Sequence, residues 1–445
     1  MSRQEVVLYA DTIKGILVSY KSLNTERSRR LFKEGSWIVF GQVLMVVGSL
    51  AGVRLLTELL PPDAYGELAL GMTVATLVNQ IILGPLGGGV IRFYAPAVEH
   101  CDLAGYLQAV KKLVLRATAL IFLITVLAVA CLIVAGEIRW VPITASALAF
   151  AILSGYSANL AGIQMAARQR SIVAIHQGVE PLLRSLMAAG LLLLLGIGST
   201  VAMAGYMIAA ILILGSQIFF FRNIIRSSSF SKNTRNWQNE IWKFSLPIGT
   251  WGIFTWMQQM SDRWALQFIS STSEVGSYAV LYQLGYYPIS LLTGMVMQFL
   301  SPILYQRAGN ATDSERNAGV SKLSWRVTWL SIGLTGIVWI VAMFLHPLIF
   351  KICVAEEYRS ISYLLPWMTV SGGIFASGQV LAANLHAQRK THEMIVVKIV
   401  TALLGISLNF VGVYLYGMAG LVVAGIIFAV SYFLWMIVSN YKNDF

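Results

Sequence analysis

Apolar runs recur along the whole chain, at roughly 34–57, 66–91, 112–135, 140–166, 171–196, 199–221, 240–268, 276–304, 326–350, 361–387, 393–416 and 418–439. Each is long enough to cross about 30 Å of hydrocarbon as a helix. The pattern predicts an all-α, polytopic membrane protein with about twelve transmembrane helices. The tightest junctions fall after Gly196 and after Tyr416. Midway, the segment RNIIRSSSFSKNTRNWQ is polar, serine-rich and basic, which divides the chain into a leader (1–33), a first six-helix lobe (34–221), a linker (222–239) and a second six-helix lobe (240–445).

The two lobes carry matching signals in the same order. Pro62-Asp63-Ala64-Tyr65-Gly66 before the second span resembles Ser273-Glu274-Val275-Gly276-Ser277-Tyr278 before the eighth. Gln169-Arg170 matches Gln388-Arg389, and Met203-Ala204-Gly205 matches Met418-Ala419-Gly420. The offsets are 210, 219 and 215 residues, which points to duplication. Six spans per copy insert both copies in the same orientation, so the lobes are expected to be pseudo-symmetric about an axis along the membrane normal. Gly84-Pro85 with Gly87 to Gly89 interrupts the second span, and Gly285 with Pro288 interrupts its counterpart, which suggests a hinged pair. Gly48 and Gly52 form a GxxxG on the first span, a pattern that permits a close helix crossing.

Polar positions inside the spans are few. His176, Glu180 and Arg184 stand at steps of four in the fifth span and form a stripe roughly 12 Å long on a helix. A charge within a bilayer costs on the order of 2.5–3.5 kcal/mol, so such groups face a partner or a wet cavity. Asp262 and Arg263 lie near the end of the seventh span, Arg54 near that of the first, and Lys398 about one turn and a half into the eleventh. Each has a plainer reading: Arg54, Arg263 and Lys398 as snorkelling cations, Asp262 as a counter-ion, Glu180 and Arg184 as an intrahelical pair, His176 as a polar filler. Asn79, Gln80, Gln258 and Gln259 line a path or bond neighbouring helices.

Composition and charge sharpen this. Of 445 residues 57% are hydrophobic and only 12% charged, against about 25% charged in soluble domains. With the N-terminus inside, inner segments hold 25 of the 32 Lys and Arg, outer segments five, and two lie within spans. This distribution predicts both termini in the cytoplasm and assigns the +12 charge to topology and anionic lipid, not to nucleic acid. The leader lacks the apolar core of a cleavable signal peptide, and only a weak interfacial pattern (Ile13, Ile16, Leu17, Tyr20) is present. Three scattered cysteines imply neither a disulfide framework nor a metal site. Catalytic and nucleotide motifs are missing: the nearest approach to a phosphate loop, Gly15 to Ser22, has Tyr20 where glycine is needed. No cofactor is implied, and a transporter that is not an enzyme is the remaining class.

The run from Arg54 through Pro61-Pro62-Asp63-Ala64-Tyr65-Gly66 resembles the first-to-second helix junction of bacterial polysaccharide transporters, as do Ser261-Asp262-Arg263-Trp264-Ala265-Leu266, Glu274-Val275-Gly276-Ser277-Tyr278 and Gln283-Leu284-Gly285-Tyr286-Tyr287-Pro288. These are the Wzx-type O-antigen and exopolysaccharide flippases of the multidrug/oligosaccharidyl-lipid/polysaccharide exporter superfamily. The resemblance runs from about Glu34 onward; the leader before it is longer than the resemblance leads one to expect. It implies a flippase that carries polyprenyl-diphosphate-linked oligosaccharide across the bacterial inner membrane, alternating around a cationic cavity, for lipopolysaccharide or other surface polysaccharide. The cargo's diphosphate would be gripped by Arg54, Arg184, Arg263 and Lys398, with arginine suited to phosphate by its planar fork. Glu180, Asp262 or His176 would couple transport to an ion. Partners would be the lipid-linked substrate, membrane lipids, and a polysaccharide polymerase with other assembly proteins.

Two other readings stay open at this point. A small-molecule or multidrug exporter of the same superfamily would favour a carboxylate-lined pocket, whereas cations outnumber acids within these spans. A polysaccharide polymerase or ligase would place its working residues in a large outer loop, and the largest expected here is about ten residues, Phe350 to Ser360. A channel is disfavoured by the lack of a charge ring or filter.

Overall fold

A computed structural model describes residues 35–226, 236–309, 313–388 and 391–441. The leader, residues 227–235 of the linker, Arg389 and the side chain of Lys398 lie outside the described residues. The described chain is helical throughout, without strands. The helices are α1 (Gly35–Leu59), α2 (Pro62–Val78), α3 (Gly84–Glu99), α4 (Leu103–Val134), α5 (Val141–Ala166), α6 (Arg170–Leu195), α7 (Ser199–Arg226), α8 (Trp237–Ile269), α9 (Thr272–Gly285), α10 (Tyr287–Ala308), α11 (Ser314–Cys353), α12 (Leu365–Ala387) and α13 (Thr391–Tyr441). A π-helical turn, Asn79–Leu83, joins α2 to α3, and α9 runs into α10 at Tyr286. Tyr416 and Gly417 break α13 into two arms. Counting α2–α3 and α9–α10 as one pass each gives twelve passes among the described residues, six per lobe.

Both junctions singled out as tight are real turns. α6 stops at Leu195, with Gly196 at φ 100°, and the arms of α13 reverse at Gly417, with φ 56°. Both angles lie in the left-handed region where glycine carries no Cβ penalty. Many helices outrun the apolar stretches that announced them. The second pass covers Pro62–Glu99, 38 residues, and α11 has 40. Apolar length reports the thickness of hydrocarbon, whereas a nucleated helix propagates cheaply into the interface beyond it.

Two passes are less apolar than the rest. Among the described residues nine helical stretches are long and apolar enough to cross a membrane, the two arms of α13 counting as one, and α8 and α12 are not among them. Both carry polar residues that face inward, as the cavities below show. The lipid-facing surface is correspondingly greasy: Phe122 of α4 and Phe344 of α11 are 66% and 80% exposed.

The GxxxG of α1 makes a close crossing with α6. A Cβ on Gly48 would meet Leu182 Cβ at 3.1 Å, and one on Gly52 would meet Ser185 Cβ at 3.0 Å. The lobes themselves meet where the repeat signals match. Here α2 crosses α9 so closely that a Cβ on Gly66 would lie 3.0 Å from the Gly276 nitrogen, and one on Gly276 2.9 Å from the Gly66 nitrogen. Each would also run into a carbonyl of the other helix, Thr272 or Pro62. The duplicated glycines therefore pack on each other across the pseudo-twofold axis. This contact lies on the side of the membrane away from the linker, called the far side here. There Tyr358, fully buried, donates to the Leu60 carbonyl at 2.7 Å, and Gln283 Nε2 donates to Tyr65 Oη at 3.3 Å.

The proposed hinge positions are crowded. A Cβ on Gly84 would sit 2.7 Å from the Asn79 carbonyl oxygen, and one on Gly285 2.8 Å from Met368 Cγ. Alanine at either would strain its surroundings as well as stiffen the backbone. The far-side crossing gives a cleaner measurement. Gly276→Ala is expected to destabilise the protein by about 1–3 kcal/mol through overpacking, seen as a lower thermal midpoint in detergent. Gly215→Ala, with nothing within 4 Å of its new Cβ, should melt no lower than the parent. Equal midpoints for the two variants would mean the lobes do not meet at this crossing.

Candidate functional site

Two cavities, one between the lobes and one within the second lobe, share a wall. The smaller, about 170 Å³, is lined by residues of both lobes, among them Tyr65, Thr73, Arg184 and Tyr206 of the first and Met260, Arg263 and Gln283 of the second. The larger, about 480 Å³, lies within the second lobe between α8, α9, α10, α12 and α13. Asp262 faces the large cavity and its neighbour Arg263 faces the small one.

Arg263 is buried, at 8% exposure, and Asp262 at 7%. Arg263 Nη1 donates to both Asp262 oxygens at 3.0 and 3.2 Å, the Arg263 backbone N–H donates to Oδ1 at 2.7 Å, and the Tyr278 hydroxyl donates to Oδ2 at 2.9 Å. The guanidinium lies 4.5 Å from the Tyr282 ring centroid and 5.9 Å from that of Tyr278. An aromatic face attracts a cation by its quadrupole, more strongly when water is excluded. Asp262 is thus the counter-ion of Arg263, and the plain reading of that residue describes its contacts fully.

Arg184 enters the small cavity from α6. Its guanidinium stands 5.2 Å from the Tyr206 ring and 6.0 Å from that of Phe150, while its Nε is buried without a hydrogen-bond partner. The i, i+4 pairing with Glu180 does not form: among the described residues no ion pair or hydrogen bond engages Glu180. Glu180 and Arg184 instead both act electrostatically on Tyr287, across the lobe interface at the start of α10. His176 leaves the stripe. It is buried, with Nδ1 2.7 Å from the Ile172 carbonyl and Nε2 2.9 Å from Ser216 Oγ, and lines neither cavity.

Arg54 is likewise elsewhere. It pairs with Glu58 one turn on and donates to the Val354 carbonyl, tying α1 to the far-side segment after α11. Its contacts lie with that segment, and among the described residues Arg184 and Arg263 are the cations that line the small cavity. The amides divide similarly. Asn79 bonds Ser154 at 3.1 Å, and Gln80 bonds Gln259 across the lobes at 2.9 Å, whereas Gln258 and Gln259 line the large cavity.

Sequence reasoning missed the aromatic side of this site. Tyr278, Tyr282 and Tyr286 stand at steps of four on α9 and into its junction with α10, and all three line the large cavity. Tyr282 and Tyr286 stack with centroids 4.8 Å apart. The spacing was visible, but an aromatic at helical period inside an apolar run carries no sign of which side is wet.

A family model described as polysaccharide biosynthesis protein matches residues 31–307. The chain belongs to that family. Its fold is also found in solved transporters. One is a lipid II flippase, MurJ, in an inward closed conformation, at 13% identity and TM-score 0.68, covering 92% of this chain and 87% of that one. Another is an inward-facing multidrug resistance MATE transporter of the MOP superfamily, at 13% identity and TM-score 0.64, covering 90% and 95%. A third is a MOP-superfamily transporter from Pyrococcus furiosus whose structure is described as having a binding pocket of reversed polarity, at 13% identity and TM-score 0.57, covering 92% and 96%. Among curated protein sequences none matches. In this member of the family the interlobe cavity carries arginine from both lobes.

The buried pair gives a stability test. Arg263→Ala leaves the buried Asp262 carboxylate without its cation, which costs about 3–5 kcal/mol for a broken buried pair. The double variant Asp262→Ala/Arg263→Ala should melt at a higher temperature than Arg263→Ala alone. A double variant that melts lower than both single variants would show that the two residues are not each other's partners.

Proposed function

We propose that this protein is a flippase for polyprenyl-diphosphate-linked oligosaccharide, moving it from the inner to the outer leaflet of the bacterial inner membrane for O-antigen, other lipopolysaccharide or exopolysaccharide assembly. The observation that carries the reading is the pair Arg184 and Arg263, one from each lobe, lining one cavity in a member of the polysaccharide biosynthesis family. An anionic diphosphate needs fixed cations, and arginine's fork matches phosphate oxygens two at a time. Arg184 has a buried donor without a protein partner, which a phosphate oxygen would fill. The fold it shares with a lipid II flippase supports the same class of cargo.

In this reading both termini are cytoplasmic and the linker side faces the cytoplasm, which the charge distribution supports. The far-side crossing of Gly66 and Gly276 then closes the cavity toward the outside, and transport alternates that closure with its opposite. The prenyl tail stays in the bilayer throughout. Glu180, without a protein partner among the described residues, is the acid proposed to couple the cycle to an ion. Lys398 is a further cation proposed for the second lobe. A polymerase acting on the delivered oligosaccharide would be a functional partner.

Deleting the gene in its host should leave a lipid-linked oligosaccharide accumulated in the inner leaflet. Complementation with Arg184→Ala should lower surface polysaccharide about 10- to 100-fold, the range for one charge-assisted contact, with Arg54→Ala restoring it nearly fully. Normal surface polysaccharide with Arg184→Ala at parental protein level would overturn the arginine grip. Glu180→Gln is expected to remove dependence on a pH gradient in vesicles, and unchanged dependence would exclude that residue as the coupling acid.

A further inference from the structure

The larger cavity has a composition that the diphosphate does not explain. Among the described residues Asp262 is the one charged side chain on its wall, and Arg263 and Tyr278 already occupy that carboxylate. What remains is neutral, with two kinds of surface. One is a strip of rings that begins beside the Arg263 guanidinium. Tyr282 lies against that guanidinium and stacks on Tyr286, Phe375 follows at 6.4 Å, and Tyr432 lies 5.0 Å from Phe375. The other is a set of side-chain amides, Gln258 and Gln259 on α8, Gln379 on α12 and Asn409 on α13.

Several of these polar groups are unspent. Among the described residues neither Gln258 nor Gln379 has a hydrogen-bond partner. Tyr432 is 2% exposed, and its hydroxyl is buried with no partner although the residue lines the cavity. An unmade hydrogen bond on a buried group is costly, so the Tyr432 hydroxyl marks a ligand with donors and acceptors of its own, and the half-buried Gln258 and Gln379 amides line the same space. A lipid tail would leave the amides stranded, and among the described residues a phosphate would find no free cation on this wall. A carbohydrate answers both surfaces at once. Its ring presents apolar C–H faces that lie flat on aromatic rings, and its hydroxyls donate to and accept from amides and phenols. The volume, about 480 Å³, falls within the range of small-molecule sites, about 300–1,000 Å³.

We propose that this cavity is the carbohydrate subsite of the transporter. Sugar rings stack along Tyr282, Tyr286 and Phe375, and Gln258, Gln379 and Tyr432 bond their hydroxyls. The inference rests on the flippase reading, and it adds an asymmetry: both lobes hold the diphosphate, whereas the second lobe alone holds the sugars. Because Asp262 and Arg263 form the wall between the cavities, the sugar attached to the diphosphate is the one placed nearest Tyr282.

The test separates sugar from diphosphate. Full-length protein in lipid nanodiscs is titrated with two probes: undecaprenyl diphosphate, and the lipid-linked oligosaccharide extracted from the host lacking this gene. Gln258→Ala/Gln379→Ala is expected to weaken binding of the sugar-bearing lipid about tenfold or more, with the affinity for undecaprenyl diphosphate unchanged within about twofold. Tyr432→Phe, which removes one oxygen and keeps the ring packing, should weaken the sugar-bearing lipid about three- to tenfold. Equal losses for both probes, or unchanged affinity for the sugar-bearing lipid in both variants, would overturn the subsite. Arg184→Ala is the separate arm. If it weakens both probes while the cavity variants weaken neither, the diphosphate reading stands and the subsite falls. If it weakens neither while the cavity variants act selectively, the subsite stands and the diphosphate grip falls.

Discussion

A buried guanidinium in a membrane protein must find its counter-charge and its donors' partners within a few ångströms, and Arg263 finds both on its own helix and the next. Asp262 neutralises it, Tyr278 holds Asp262, and the Tyr282 ring covers its open face. That arrangement stations a buried cation at the lobe boundary. It also turns two adjacent residues of one helix into a partition, with an occupied acid on one side and an arginine on the other. Among the described residues the small cavity carries Arg263 together with Arg184, and the large one carries only the occupied Asp262 carboxylate.

The lobes are duplicates in outline and specialised in detail. Where the copies meet, the match is kept to the atom: Gly66 and Gly276 pack on each other, because a crossing on a pseudo-twofold axis must place equivalent residues opposite. Away from the axis the copies diverge. Arg54 and Arg263 hold comparable places in the duplication, yet Arg54 is drawn outward by Glu58 and the Val354 carbonyl while Arg263 is drawn inward by Asp262. Positions related by descent thus end up in a structural tie in one lobe and in a cavity wall in the other.

This explains which features were legible in the chain. Span count, the turns at Gly196 and Gly417, the close approach of α1 at Gly48 and Gly52, and the matched glycines follow from local rules of length, backbone freedom and periodicity. Which face of a helix is wet does not, since it depends on the neighbours that surround the helix. So Arg54 lines neither cavity, and His176, grouped with Glu180 by its spacing, bonds α7. The residue types most useful for a neutral cargo, amides and aromatics, are the ones a sequence offers without a charge to flag them.

Two passes of weaker hydropathy help to build the site. α8 and α12 fall short of a membrane-spanning composition, and each lines the large cavity. A helix face turned to lipid gains from every apolar residue, as those of α4 and α11 do with their exposed phenylalanines. A helix that faces lipid on one side and a hydrated ligand on the other must give up apolar character in proportion to the wet face, down to the point where neighbouring helices still shield its polar groups. In a transporter of this architecture, the shortfall in hydropathy of a pass that must nonetheless exist for the topology to close is therefore a signal for cavity lining. Here it points to the second lobe twice over and to the first not at all, which is the same asymmetry that the amides and rings of the large cavity express.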